Sequence, residues 1–384
     1  MVSLDTTPFG ITVHDKGFAK VGDVGAPLAV KVVVNHNQQS TAEIDVLSGA
    51  ARLPDLLTLG ARVVITFHGD QLLTGTVTAH SKSGPAKRPV YKVMVSDDWA
   101  WMQRMLAWPT PGAATPASGG GLVGQTMEFD VRTGAAESVV KAIVTANKGR
   151  GTPGVTVAAD LGRGGSITVK NRFNTLIDIT LPLLDAAGIG VTFRQSGAGL
   201  VMDCYAGRTY PRTLTEESGV VQDSTVSWAA PKATRVVVAG AGSGTSRVFT
   251  LVVDAALEAA LGYSIEAFLD ESSTTTDAER NTAGLVFLAQ NAVTAGLTVT
   301  LAQTSVFSYD VAGTHGGIRV GDMVPVQVID GLIVNALLRS CTLTYDTSAG
   351  LQVVPQVGDL PSVNNTLAGQ FASIAKIVRH LGRR

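Results

Sequence analysis

The chain has 384 residues, 45% hydrophobic and 5% aromatic, with 42 glycines, 30 Lys and Arg against 31 Asp and Glu, and a formal net charge of -1. That length fits two to four domains with a substantial core, and the apolar content excludes a disordered chain. The even charge balance by itself implies no large basic surface for nucleic acid, and two distant cysteines, Cys204 and Cys341, exclude a structural zinc site.

Two buried thiols are expected. The opening MVSLDTTPFG has neither the cationic start nor the apolar stretch of a secretory signal. No apolar run reaches membrane-span length, since Lys31 splits LAVKVVV and Asn335 splits GLIVNALL. Synthesis in a cytoplasm, followed by solubility or incorporation into an assembly, is the expectation.

Residues 1–96 read as strands. FGITVHD, LAVKVVVNH, AEIDVLS, ARVVITFHGD, LLTGTVTAHS and VYKVMVSDD are short, rich in β-branched residues and punctuated by Gly, Asn, Asp or Pro. They predict a first small β-barrel domain. The period then changes in DDWAWMQRMLAWPTP. Asp97 is placed to cap a short helix with Trp99, Met102, Met105 and Leu106 on one face, ended by Pro109 and Pro111. TPGAATPASGGGLVG reads as a linker.

An α+β insert domain, 97–225 overall, follows. TGAAESVVKAIVTANKG predicts a helix with Val139, Val140, Ile143 and Val144 as its apolar stripe. NRFNTLIDITLPLLDAAG predicts another, kinked at Pro182 and closed by Gly188. GVTFRQ and GLVMDCYAG form a hairpin across SGAG.

From 226 to 360 strands return as a second β-barrel domain holding one helix, whose Thr276 and Glu279 make a capping box. Its first strands flank RVVVAGAGSGTSRVF, where Gly240, Gly242 and Gly244 imitate a dinucleotide fingerprint. The spacing is G-x-G-x-G, and Val248 to Val253 continue as a strand. No helix N-terminus is available for a pyrophosphate, so a glycine hairpin is predicted, with Arg247 as a candidate interface salt-bridge residue.

Residues 361–384 read as a C-terminal amphipathic helix. Leu367, Phe371, Ile374, Val378 and Leu381 recur at heptad spacing, with Lys376, Arg379, Arg383 and Arg384 toward its end. Two destinations are open for this seam: the protein's own body, or other copies around a symmetry axis.

None of the six histidines has metal-ligand spacing, and Ser243 in GAGSG is off the nucleophile-elbow position. The sequence therefore offers no catalytic, cofactor or metal site. The fold class is α+β and β-rich.

The ordered series resembles a family of siphophage tail-tip proteins. These are baseplate-hub or tail-associated proteins of long non-contractile tails, often called minor tail proteins, similar to contractile-phage baseplate hubs. The resemblance covers roughly residues 10–360. It rests on Asp97, Asp98, Met102, Arg104 and Pro109, then Gly240, Gly242 and Arg247, then Gly262, Glu266 and Asp270. Thr234 stands where the family pattern has Asn, and Leu261 where an aromatic is common.

The resemblance implies a homotrimer of paired β-barrels, docked on the hexameric ring of distal tail protein and contributing to the DNA channel. Tape-measure and tip or fibre proteins are the implied partners, and the virion tail tip the implied location. A cell-wall hydrolase, a receptor- or glycan-binding tail protein, and the distal tail ring itself are the alternatives.

Overall fold

The computed structural model describes residues 7–113, 124–151, 153–272, 274–291, 294–302, 307–311, 317–329 and 332–358. The chain opens with β1 (Phe9–His14), β2 (Lys20–Asp23), β3 (Ala29–Asn35), β4 (Thr41–Leu47), α1 (Leu53–Leu56), β5 (Arg62–Phe67), β6 (Asp70–Ser83), β7 (Val90–Asp97) and α2 (Ala100–Arg104). Next come β8 (Asp130–Ala135), α3 (Ala136–Asn147), β9 (Val155–Val157), β10 (Ser166–Asn171), α4 (Leu176–Ala186), β11 (Ile189–Ser196) and β12 (Gly199–Ala206). Then follow β13 (Val221–Ala229), β14 (Arg235–Ala239), β15 (Phe249–Val253), α5 (Ala255–Leu261), β16 (Glu266–Asp270) and α6 (Asp277–Gln290). The last strands are β17 (Thr294–Leu301), β18 (Met323–Ile329), β19 (Leu332–Asp346) and β20 (Gly350–Gly358).

Packing divides the chain into two compact units. The first is built on residues of Met1–Gln222, Thr300–Gln327 and Asn335–Val357, and the second on Asp223–Val299 and Val328–Val334.

In the first unit a long sheet runs β20-β19-β3-β4-β7-β6-β5-β1-β2. Every neighbouring pair in this run is antiparallel. Alternation in the sequence places Val30, Val32, Ile44, Ile65, Phe67 and Val93 in its core. β19 lies on β3, with Ser340 opposite Asn35 and Asp346 opposite Ala29. N-terminal and C-terminal strands therefore share one sheet. The strand order is an open path, so the β-rich α+β class stands, and closure into barrels is not seen among the described residues.

The insert has its own core. α3 buries Val139, Val140, Ile143 and Val144, as its stripe predicts, and α4 adds Leu176 and Leu184. Thr175 caps α4 by accepting the Asp178 amide at 3.2 Å, and Pro182 lies inside the helix. β11 and β12 pair from Ile189–Ala206 to Ser196–Gly199, as SGAG predicts.

One expectation needs correcting. Asp97 does not cap α2; Trp99 is the N-cap and no side chain caps this five-residue helix. β7 runs through Asp97, whose amide donates to the Ser40 carbonyl at 3.1 Å. The strand claims the residue before the helix starts.

The second unit has a sheet in the order β15-β14-β16. β14 and β15 are antiparallel and β14 and β16 parallel. α6 begins with the predicted capping box, Thr276 accepting the Glu279 amide and Glu279 reaching back to the Thr276 amide. It ends at Gln290. Val236, Val238, Val252 and Leu288 form the core under it.

Candidate functional site

The glycine stretch is a hairpin. β14 and β15 pair from Arg235–Val253 to Ala239–Phe249, and the loop between them closes through a short 3-10 turn at Gly244–Ser246. Its amides face protein acceptors. Gly240 donates to Val248, Ala241 to Thr274 and Ser246 to Ser243, at 2.9, 2.9 and 3.1 Å. Amides committed this way do not form the cradle that a phosphate needs.

Arg247 sits over this loop. It donates through Nε to the Gly240 carbonyl at 3.1 Å, and pairs through Nη2 with Asp270 at the end of β16. The guanidinium also lies 6.0 Å from the Phe249 ring centroid. Three positions of the resemblance pattern, Gly240, Arg247 and Asp270, thus form one intrachain clasp. Thr234, in place of the expected Asn, is fully buried and serves as donor and acceptor: its hydroxyl donates to Glu258 at 2.8 Å and accepts the Ile265 amide at 2.8 Å.

Gly242 is the strained position of the loop. Its φ is +103°, and an added Cβ would lie 2.6 Å from the Ser246 carbonyl oxygen. Gly242→Ala is therefore expected to destabilise the second unit by roughly 2–3 kcal/mol. Gly244→Ala, at φ +56° with open space around it, should cost only about 1 kcal/mol. Thermal denaturation of the two variants side by side tests the difference, and equal melting temperatures would contradict this geometry.

In the first unit the acidic pair at the end of β7 is the most strongly constrained cluster. Asp98 accepts Arg62 Nη2 and the Thr74 hydroxyl, both at 2.6 Å. Arg62 is only 2% exposed, with its guanidinium 4.1 Å from the Phe18 ring centroid. Asp97 accepts the Ser40 amide at 3.0 Å through Oδ2, while Oδ1 is buried without a protein partner. Burial pushes the Asp97 carboxyl up to about 7, and the neighbouring Asp98 charge adds to the rise.

Asp97 lines a pocket of about 430 Å³ together with Trp99, Arg163, Tyr205 and Arg319. Around it, side chains bind the long sheet to the insert. Asn37 donates to Asp185 at 2.7 Å and to the Ile189 carbonyl at 2.9 Å, and accepts the Val191 amide at 3.1 Å. His36 Nδ1 lies 2.8 Å from the Tyr205 hydroxyl, and Gln71 accepts the Gln195 amide at 3.0 Å. On α3, the fully buried Glu137 meets Lys141 at 2.8 Å and Arg163 at 3.2 Å.

This arrangement fixes the geometry between the long sheet and the insert. Cys204 and Cys341 are buried free thiols, and burial pushes Cys204 up to about 12 and Cys341 higher still. Among the described residues no group of three or more His, Cys, Asp or Glu is placed to hold a metal ion. Leu367, Phe371, Ile374, Val378 and Leu381 lie outside the described residues. Sequence reading passed over Arg62 and the Glu137–Lys141 pair; only the second has a local signal, its i,i+4 spacing.

Residues 10–359 match the family described as Siphovirus ReqiPepy6 Gp37-like protein. The chain belongs to this family. Its fold is similar to that of the 43 kDa tail protein of prophage MuSo2 from Shewanella oneidensis, with a TM-score of 0.56 and 13% identity over 91% of this chain and 98% of that one. It is also similar to a tail protein from Neisseria meningitidis MC58, with a TM-score of 0.53 and 11% identity over 91% and 96%. Prophage tail protein gp18 from Listeria monocytogenes EGD-e gives a TM-score of 0.51 and 12% identity over 96% and 99%. No curated protein sequence matches. Family and fold together are those of phage tail proteins.

Proposed function

We propose that this Gp37-like chain is the trimeric hub of a siphophage tail tip. The observation that carries the reading is full-length likeness: three tail proteins, two of them from prophages, align over 98%, 96% and 99% of their own lengths. The hub joins the hexameric ring of distal tail protein to the distal tip and lines part of the DNA channel. A formal net charge of -1 suits a conduit that DNA traverses without being held, because clustered Lys and Arg retain phosphates. Tape-measure and fibre proteins are its other partners, the virion tail tip is its location, and the host cytoplasm its place of synthesis. The role is structural, without catalysis.

Light scattering of the purified chain, joined to imaging of the tail, tests this. Three copies, a mass of three times 39.7 kDa, below a sixfold ring are expected. Six copies would move the chain into the ring itself. Release of fragments from host peptidoglycan would overturn the structural reading in favour of a hydrolase.

A further inference from the structure

Among the described residues, one face of the second unit's sheet is left bare. Val236, Val238 and Val252 point toward α6. Strand alternation sends Phe249, Leu251 and Val253 of β15 and Phe268 of β16 to the other face, where they are 53%, 54%, 38% and 59% exposed. The register aligns them, with Leu251 and Phe268 both opposite Val237 of β14.

The surroundings of this face are acidic. Residues 223–299 hold eight Asp and Glu against four Lys and Arg. Side chains of Glu266 and Asp270, at opposite ends of β16, remain 74% and 57% exposed although they meet Arg235 and Arg247. One segment of the chain complements both properties. Residues 361–384 hold Lys376, Arg379, Arg383 and Arg384 and no acid, beside the apolar seam Leu367, Phe371, Ile374, Val378 and Leu381. As a helix that seam spans about 20 Å, against a sheet strip of about 13 Å between Phe249 and Val253, so the helix covers the strip with a turn to spare.

We propose that segment 367–381 docks in cis on the open β15-β14-β16 face, its apolar seam on Leu251 and Phe268 and its cations toward Glu266 and Asp270. The tether holds the segment at high local concentration, so no encounter between copies is required. This rests on the pattern of residues and stands apart from the hub reading.

The test uses the full chain with Leu251→Cys, the native thiols being buried. Alkylation of the new thiol is expected to speed up by about tenfold when Phe371→Asp and Val378→Asp are added, because coverage is lost. An unchanged rate would overturn the proposal. A second variant, Leu251→Cys with Ile374→Cys, should form an intrachain disulfide on mild oxidation, seen as a monomer of altered mobility on a non-reducing gel. Disulfide-linked dimers would show instead that the face receives another copy. Light scattering of the same samples reads the trimer separately: loss of cis docking with an intact trimer leaves the hub reading standing, and a monomeric wild type with protected Leu251→Cys does the reverse.

Discussion

Asp98→Ala is expected to destabilise the first unit by about 3–5 kcal/mol, the cost of leaving a buried cation without its counter-ion. Arg62 and Asp98 are 2% and 7% exposed and 2.6 Å apart. Truncation leaves the guanidinium under Phe18 with no carboxylate, and also strips the Thr74 hydroxyl of its acceptor. Asp98→Asn keeps an acceptor but removes the charge, and should fall between wild type and alanine. Arg62→Met combined with Asp98→Leu should recover most of the loss, because replacing both ions removes the desolvation penalty as well as the attraction. Urea denaturation of the four proteins checks the order. An alanine variant within 1 kcal/mol of wild type would show that the pair is hydrated in solution.

That cluster marks how far the sequence could be read. The strands were legible because β4 alternates apolar and polar residues from Ala42 to Val46, and because β-branched residues dominate β3 and recur in β7. The hairpin was legible because β-branched residues lie on both sides of the glycines. What local pattern lacks is long-range pairing: nothing near Asn35 names Ser340 as its partner. The same blindness misplaced Asp97. An acidic pair before WAWMQRM has the form of a helix cap, and only the partner strand at Ser40 shows that the backbone is still extended there. Gly75 is the matching case. It sits inside β6 with no turn signal, yet an added Cβ would lie 1.9 Å from the Ser96 carbonyl oxygen. α5 was passed over although Asp254 caps it, accepting the Leu257 amide at 2.9 Å, and Gly262 closes it. It is short and apolar almost throughout, AALEAAL, so no alternation of apolar and polar faces sets a helical period.

Asp97 itself gives the second large effect, and its sign is opposite to that of an ordinary surface carboxylate. Burial raises its carboxyl from 3.8 to about 7 in the folded protein. The native state thus holds the proton where the unfolded chain has released it. Stability from this group is complete below about pH 4 and is lost as pH rises through 7. At 1.4 kcal/mol per pH unit the loss reaches up to about 4 kcal/mol. His36 opposes it. Burial lowers its imidazole to about 4, with the Arg339 charge assisting, so its contribution is complete above pH 6.5 and is lost as pH falls through 4. The wild type therefore carries two opposing slopes across the same window. Asp97→Asn removes one of them. The variant should match wild type near pH 4, gain on it progressively, and exceed it above pH 7, while its own stability now falls steadily as the solution is acidified from 6.5. His36→Gln should leave the reverse, a protein that weakens as pH rises from 4 to 7. Urea midpoints of the three proteins at pH 4.5, 6 and 8 separate these slopes. If Asp97→Asn gains nothing on wild type between pH 4.5 and 8, the carboxyl is solvated and ionised in the native state, and the pocket beside it is filled by water that reaches Oδ1.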